Sequence, residues 1–205
     1  MAVDFDSVRR FTAGLTVPLS PEDQTVQSMP DVSPTKWHLA HTTWFFEEFV
    51  LGRFADGYRP FHPDFAYLFN SYYEAVGPRH ARHRRGVLTR PGVAEVLTYR
   101  EFVDAAVSDL LASVPSGQAA ASGLVGTVEL GLHHEQQHQE LLLMDIKHVL
   151  SCNPLDPAYE VAATRIPSVE RSVGWTTHEG GTVEIGHQGA SFAFDNEGPR
   201  HRAWV

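Results

Sequence analysis

Residues 123–151, GLVGTVELGLHHEQQHQELLLMDIKHVLS, contain no turn signal until Asn153-Pro154. A run of that length predicts one long helix, stopped where proline disfavours helical geometry in the residue before it. Its middle, HHEQQHQELL (133–142), carries three histidines, two glutamates and three glutamines into an apolar stretch. Such a helix either presents a wet, His-rich surface or turns its imidazoles inward to hold something. Residues four apart share a helix face, so His134 and His138 lie one turn above the other.

Three more stretches read as helices: 5–16, 34–51 and 92–113. For the second, Ser33 is the expected N-cap, Pro34 the first helical position and Gly52 the stop. Four amphipathic helices predict a mainly α fold, a four-helix bundle. Residues 52–92, between the second and third helices, are rich in aromatics, Arg, Gly and Pro. Connections that long inside a compact domain are usually functional. After residue 153 the helical period fades. Residues 154–174 read as a linker. Residues 175–205 read as the start of a β-rich domain, with TVEIG, SFAFD and RAWV as strand candidates. The chain stops at Val205 in what reads as mid-strand, so the expected organisation is a bundle over 1–153, a linker, and the front of a second domain that continues further.

The formal charge of -9 argues against nucleic-acid and anionic-membrane partners, which want a basic face. The basic residues are nonetheless clustered. GPRHARHRRG (77–86) holds four arginines and two histidines, which reads as a small-anion site or as a solvated basic loop. The single cysteine, Cys152, permits no disulfide within the chain and fits a reducing cytoplasm. Its place at the end of an apolar run predicts a buried structural thiol. No signal peptide and no apolar run of membrane-spanning length is evident.

HEQQH (134–138) matches the HExxH pattern of zinc proteases, in which Glu135 would be the general base. A third ligand is lacking at the right place. His148 lies ten residues past His138, roughly 80° off its face, and no glutamate has the required spacing. A third imidazole can instead come from WHLAH in the second helix. His41 shares a face with Trp37 and Trp44, the face expected to point into the bundle; His38 shares one with Phe45 and is the weaker candidate. A helical His pair plus a histidine on a neighbouring helix is how bundles build metal sites. Three neutral imidazoles leave coordination positions open, as in catalytic sites. Ligand type alone does not choose between zinc and iron.

SPTKWHLAHTTWFFE (33–47), LFNSYYEAVGPRHARHRRG (68–86) and GLHHEQQHQELLLMDIKHVLSCNP (131–154) closely resemble the DinB-like N-terminal domain of ergothioneine-biosynthesis sulfoxide synthases of the EgtB type. GGTVEIGHQGASFAFDNEGPRHRAWV (180–205) is similar to the opening of the formylglycine-generating-enzyme-like domain (C-type-lectin-like, FGE-like) that follows in that family. The resemblance implies a mononuclear non-haem Fe(2+) enzyme. Its small-molecule substrates would be O2, a thiol (γ-glutamylcysteine or cysteine) and hercynine, Nα-trimethylhistidine. By motif, the iron ligands fall on His41, His134 and His138, the thiol-binding arginines on Arg79 and Arg82, and a polar contact on the trimethylhistidine side on Gln137. The family's tyrosine proton donor is expected beyond Val205. The alternatives are a DinB-like metal-dependent thiol transferase or hydrolase, often zinc-dependent; an ovothiol-pathway synthase acting on plain histidine; and a non-catalytic bundle whose histidines merely pack.

Overall fold

The computed structural model describes residues 2–72, 77–113, 115, 123–160 and 174–205. It divides into two compact units, residues 1–161 and 162–205.

The first unit is helical. Helix α1 spans Ala2–Gly14, α2 Thr35–Phe46, the short α3 Phe65–Phe69, α4 Val93–Ser113 and α5 Leu124–Ser151. Helix α2 packs on both α4 and α5, and α1 packs on α5 and α4. All twelve residues of α2 are buried, which makes it the central element; a helix enclosed on every side has no solvent face to mark with charge. Several of its polar side chains bond to backbone carbonyls. The Thr42 and Thr43 hydroxyls donate to the Leu39 carbonyl at 3.3 and 2.7 Å. The Trp37 indole donates to the carbonyl of Leu68 at 3.1 Å. The main core joins Phe5 of α1, Leu39 and Trp44 of α2, Val103 of α4 and Val128 of α5. A second cluster gathers Leu19 with Leu142, Ile146, Val149 and Leu150.

Helix α2 ends differently from the sequence expectation. The N-cap is Pro34, with φ -57° and ψ 143°, and no side chain caps the helix. Ser33 is otherwise engaged: its N–H donates to Asp145 at 2.8 Å and its hydroxyl accepts from Arg85 at 2.8 Å. Gly52 is not a stop. The chain passes through a π-helical turn, Glu47–Leu51, and one further α turn, Gly52–Phe54. Glu47, at the start of that turn, is buried. Its carboxylate accepts from the Tyr58 and Tyr99 hydroxyls at 2.7 and 2.5 Å and from the Phe61 N–H at 2.8 Å. Burial, and then the Glu47 carboxylate, push both phenols up. Helix α1 lies earlier than the expected 5–16 and closes at Gly14. Cys152 is exposed, because α5 ends beside it and turns it outward rather than into the core.

The long connection is partly ordered into elements: α3, and a 3-10 turn over Arg82–Val87. Residues 73–76 within its motif lie outside the described residues, as do residues 161–173 of the expected linker.

In the second unit, β1 (Thr182–Ile185) pairs antiparallel with β2 (His201–Trp204), Thr182 opposite Trp204 and Ile185 opposite His201. TVEIG and RAWV thus contribute strands, but SFAFD (191–195) does not. There the Glu197 carboxylate accepts the Phe194 N–H at 2.7 Å, and a 3-10 turn forms over Asp195–Glu197. Among the described residues no helix is long and apolar enough to cross a membrane.

Candidate metal centre

Helices α2 and α5 approach closely where α5 has no side chain. A Cβ on Gly131 would lie 2.7 Å from Phe46 Cε1 and 2.9 Å from Phe45 Cε1, so only glycine admits this contact. One turn further along α5 comes His134, and one turn after that His138.

The two α5 histidines meet His41 of α2. Ring centroids are 5.0 Å apart for His41–His134, 4.6 Å for His41–His138 and 4.7 Å for His134–His138. One nitrogen from each ring lies within 4.8 Å of the other two, and the group could hold a metal ion. His41 is buried and the α5 pair half-buried. Burial first, and neighbouring imidazoles and Arg85 after it, hold His41 and His138 well below the ordinary histidine range. Burial pushes His134 down to about 4. All three rings are therefore neutral at pH 7, the form that offers a lone pair to a metal.

The rings are backed unequally. Nδ1–H of His41 donates to the Phe69 carbonyl at 2.6 Å, which leaves its Nε2 as the free lone pair. His138 Nδ1 lies 2.9 Å from His38 Nδ1. His134 Nδ1 is buried with no hydrogen-bond partner. An orphaned ring nitrogen inside a cluster of neutral imidazoles is a cost that a bound cation would remove, so the donor set fits a metal ion.

His41 is held in an aromatic column. It stacks on Trp37 at 4.6 Å and 12° and on Trp44 at 5.5 Å and 20°. On the other face of the column, the Arg85 guanidinium carbon sits 3.3 Å from the Trp37 ring centroid. Arg85 is buried and also donates to Ser71 at 3.1 Å. Burial, reinforced by Arg82, lowers it to about 9. The basic loop is thus divided: Arg85 anchors it to the histidine cluster, while Arg79, Arg82 and Arg84 are exposed. Arg82 donates to Tyr72 at 3.1 Å and to the Asp31 carbonyl. Gln137 is exposed on α5. His148 stands apart, its Nδ1 2.7 Å from the Ser28 hydroxyl.

Glu135, the would-be base of HExxH, turns away from the three rings. It is fully buried and paired with Arg9 of α1 at 2.9 Å and with Arg100 of α4. Arg9 in turn binds Asp104 at 2.6 Å and Thr43 at 2.9 Å. Burial alone would raise the Glu135 carboxyl, but Arg9 and Arg100 overcome it and hold the group at about 2. A carboxylate gripped by two guanidinium groups is a poor proton acceptor. Its place is structural, tying α1, α2, α4 and α5 together beneath the histidines.

Arg9, Arg85, Arg100 and Asp145 belong to this site without standing in a ligand motif. A buried arginine has no local signature, but Asp145 did: it lies seven residues after His138, two turns along the same face.

A family model of the DinB superfamily matches residues 4–142. No curated protein matches the chain. The family match runs from α1 through most of α5, takes in all three clustered histidines and covers well over half of the sequence, and the chain belongs to the DinB superfamily.

Proposed function

We propose that the chain carries the metal centre of an O2-dependent non-haem iron(II) enzyme that joins cysteine or γ-glutamylcysteine to C2 of the hercynine imidazole. The observation that carries the reading is the ligand set: three neutral imidazoles from two helices, one buried and two half-buried, with the adjacent carboxylate withdrawn into an ion network. Three such ligands leave positions open for substrates. The choice of iron, and of this reaction, rests on the resemblance of three separated motifs to the sulfoxide synthases. Bound iron would supply the means of reducing O2 without a further redox cofactor.

The overall change balances on its substrates alone. A thiol S–H and the imidazole C2–H are lost, a C–S bond and an S=O bond form, and O2 gives one oxygen to sulfur and one to water. The four electrons come from the two substrates. The residues of this chain have supporting tasks. His41, His134 and His138 would hold the metal. Arg79 and Arg82 would bind the thiol substrate's carboxylates with their forked donors, Arg82 by exchanging its bonds to Tyr72 and the Asp31 carbonyl. Gln137, one residue before His138, would contact the trimethylhistidine, as the resemblance implies. The β1–β2 unit would belong to the formylglycine-generating-enzyme-like domain.

The test is anaerobic reconstitution of the natural gene product with iron(II) or zinc(II), followed by aerobic incubation with hercynine and each thiol. One iron per chain and a sulfoxide product by mass spectrometry are expected. Stoichiometric zinc with no iron binding and no product would overturn the reading in favour of a thiol transferase.

A further inference from the structure

We propose that Asp145 and His38 form a relay behind His138 that fixes its tautomer and aims its Nε2 at the metal. The inference deepens the metal reading and rests on it for its purpose, though not for its geometry.

The relay crosses between helices α5 and α2 and back. Asp145 lies two turns beyond His138 on α5, and His38 lies three residues before His41 on α2. Asp145 Oδ2 accepts from the Ser33 N–H at 2.8 Å and lies 3.0 Å from His38 Nε2. His38 Nδ1 lies 2.9 Å from His138 Nδ1. His38 and Asp145 are 2 % and 3 % exposed, so water does not compete for these bonds.

Proton positions follow from what each atom can do. An ionised carboxylate only accepts, so His38 Nε2 carries the hydrogen. In a neutral imidazole the other nitrogen is then a lone pair, so His38 Nδ1 accepts. The hydrogen between the two rings must sit on His138 Nδ1. That leaves the lone pair of His138 on Nε2. His41 reaches the same tautomer by a simpler route, donating Nδ1–H to the Phe69 carbonyl. His138 has no backbone carbonyl in that role and uses a side chain carrying the influence of a carboxylate. Partners of this kind orient a ligating ring and raise its basicity. His38 and Asp145 are positioning residues, since neither offers an atom to the cluster itself.

Two measurements test the relay. The first needs no metal: long-range 1H–15N correlation of the histidine rings in the apo protein. His138 is expected to carry its hydrogen on Nδ1, and to lose that preference in Asp145→Ala. A wild-type His138 with its hydrogen on Nε2 would overturn the relay whatever the protein binds. The second is cobalt(II) titration, reading both affinity and the d–d absorption bands. His38→Ala and Asp145→Ala are expected to bind about 10- to 100-fold more weakly, with shifted bands. His38→Gln, whose amide oxygen can still accept from His138, should recover part of the loss; it also carries the test if His38→Ala does not fold. Wild-type affinity and spectrum in the folded His38 variants, alongside loss of binding in His138→Ala, would overturn the relay and leave the metal site standing. Failure of the wild type itself to bind cobalt or iron would instead overturn the metal reading, while the ring correlation would still decide the hydrogen-bond chain.

Discussion

Replacing Glu135 with glutamine separates a structural carboxylate from a catalytic one. The substitution keeps the shape of the side chain and removes one charge. Arg9 and Arg100 would then face each other across a neutral amide, with Asp104 as their remaining carboxylate. Glu135 is held at about 2 against an ordinary 4.5, and a difference of roughly 2.5 units corresponds to about 3 kcal/mol. Breaking a buried ion pair by removing one partner costs about 3–5 kcal/mol, which agrees. Against a total domain stability of about 5–15 kcal/mol, Glu135→Gln should visibly lower the urea midpoint at pH 7. The dependence on pH has a definite sign. The folded-state value lies below the unfolded one, so the wild-type advantage is complete above pH 4.5. It shrinks as pH falls toward 2, because the unfolded chain takes up a proton that the folded chain refuses. Parallel urea titrations of wild type and variant between pH 7 and pH 3.5, followed by circular dichroism, measure that closing gap. Bound metal per folded chain should not change. Equal stability at pH 7, or a gap that does not narrow with acid, would refute the reasoning. Loss of metal from a fully folded Glu135→Gln would return this carboxylate to the centre.

Gly131→Ala should lower stability by about 1–3 kcal/mol, since its Cβ meets Phe46 at 2.7 Å; thermal melts check this, and metal titration should show weaker binding as α5 is pushed off α2. His134→Ala and His138→Ala should each abolish stoichiometric metal in a protein that still folds, as read by elemental analysis and circular dichroism. On the proposed reaction, Arg79→Ala should raise KM for the thiol substrate with metal content unchanged. The apo protein should lose stability as pH falls below about 6.5, because His41, His134 and His138 are held below that value when folded and only the unfolded chain gains their protons; differential scanning calorimetry of apo and metal-loaded protein across pH 7 to 5 checks it.

How far the sequence could be read depends on how far apart in the chain the partners are. His134 and His138 share a face by helix geometry alone, and that relation was visible in five letters. The placing of His41 between Trp37 and Trp44 was also legible, because the indoles that stack on it lie three and four residues away. The ion network was not. Arg9 and Glu135 are 126 positions apart, and an arginine bound for the interior reads like one bound for solvent until its carboxylate is known. The same limit hid the end of α2, where Glu47 takes hydroxyls from Tyr58 and Tyr99; no local rule favours a π turn over a glycine stop. His38 is the instructive case between these extremes. Its face on α2 made it a weaker ligand candidate, and it does lie outside the cluster, yet its burial has a reason. That reason was half-written on α5, where the face bearing His134 and His138 continues to Asp145. An acidic residue two turns past the His134–His138 pair, and a second histidine three residues before His41, together specify a place for a proton. Neither is informative until the packing of α2 on α5 brings them within 3.0 Å.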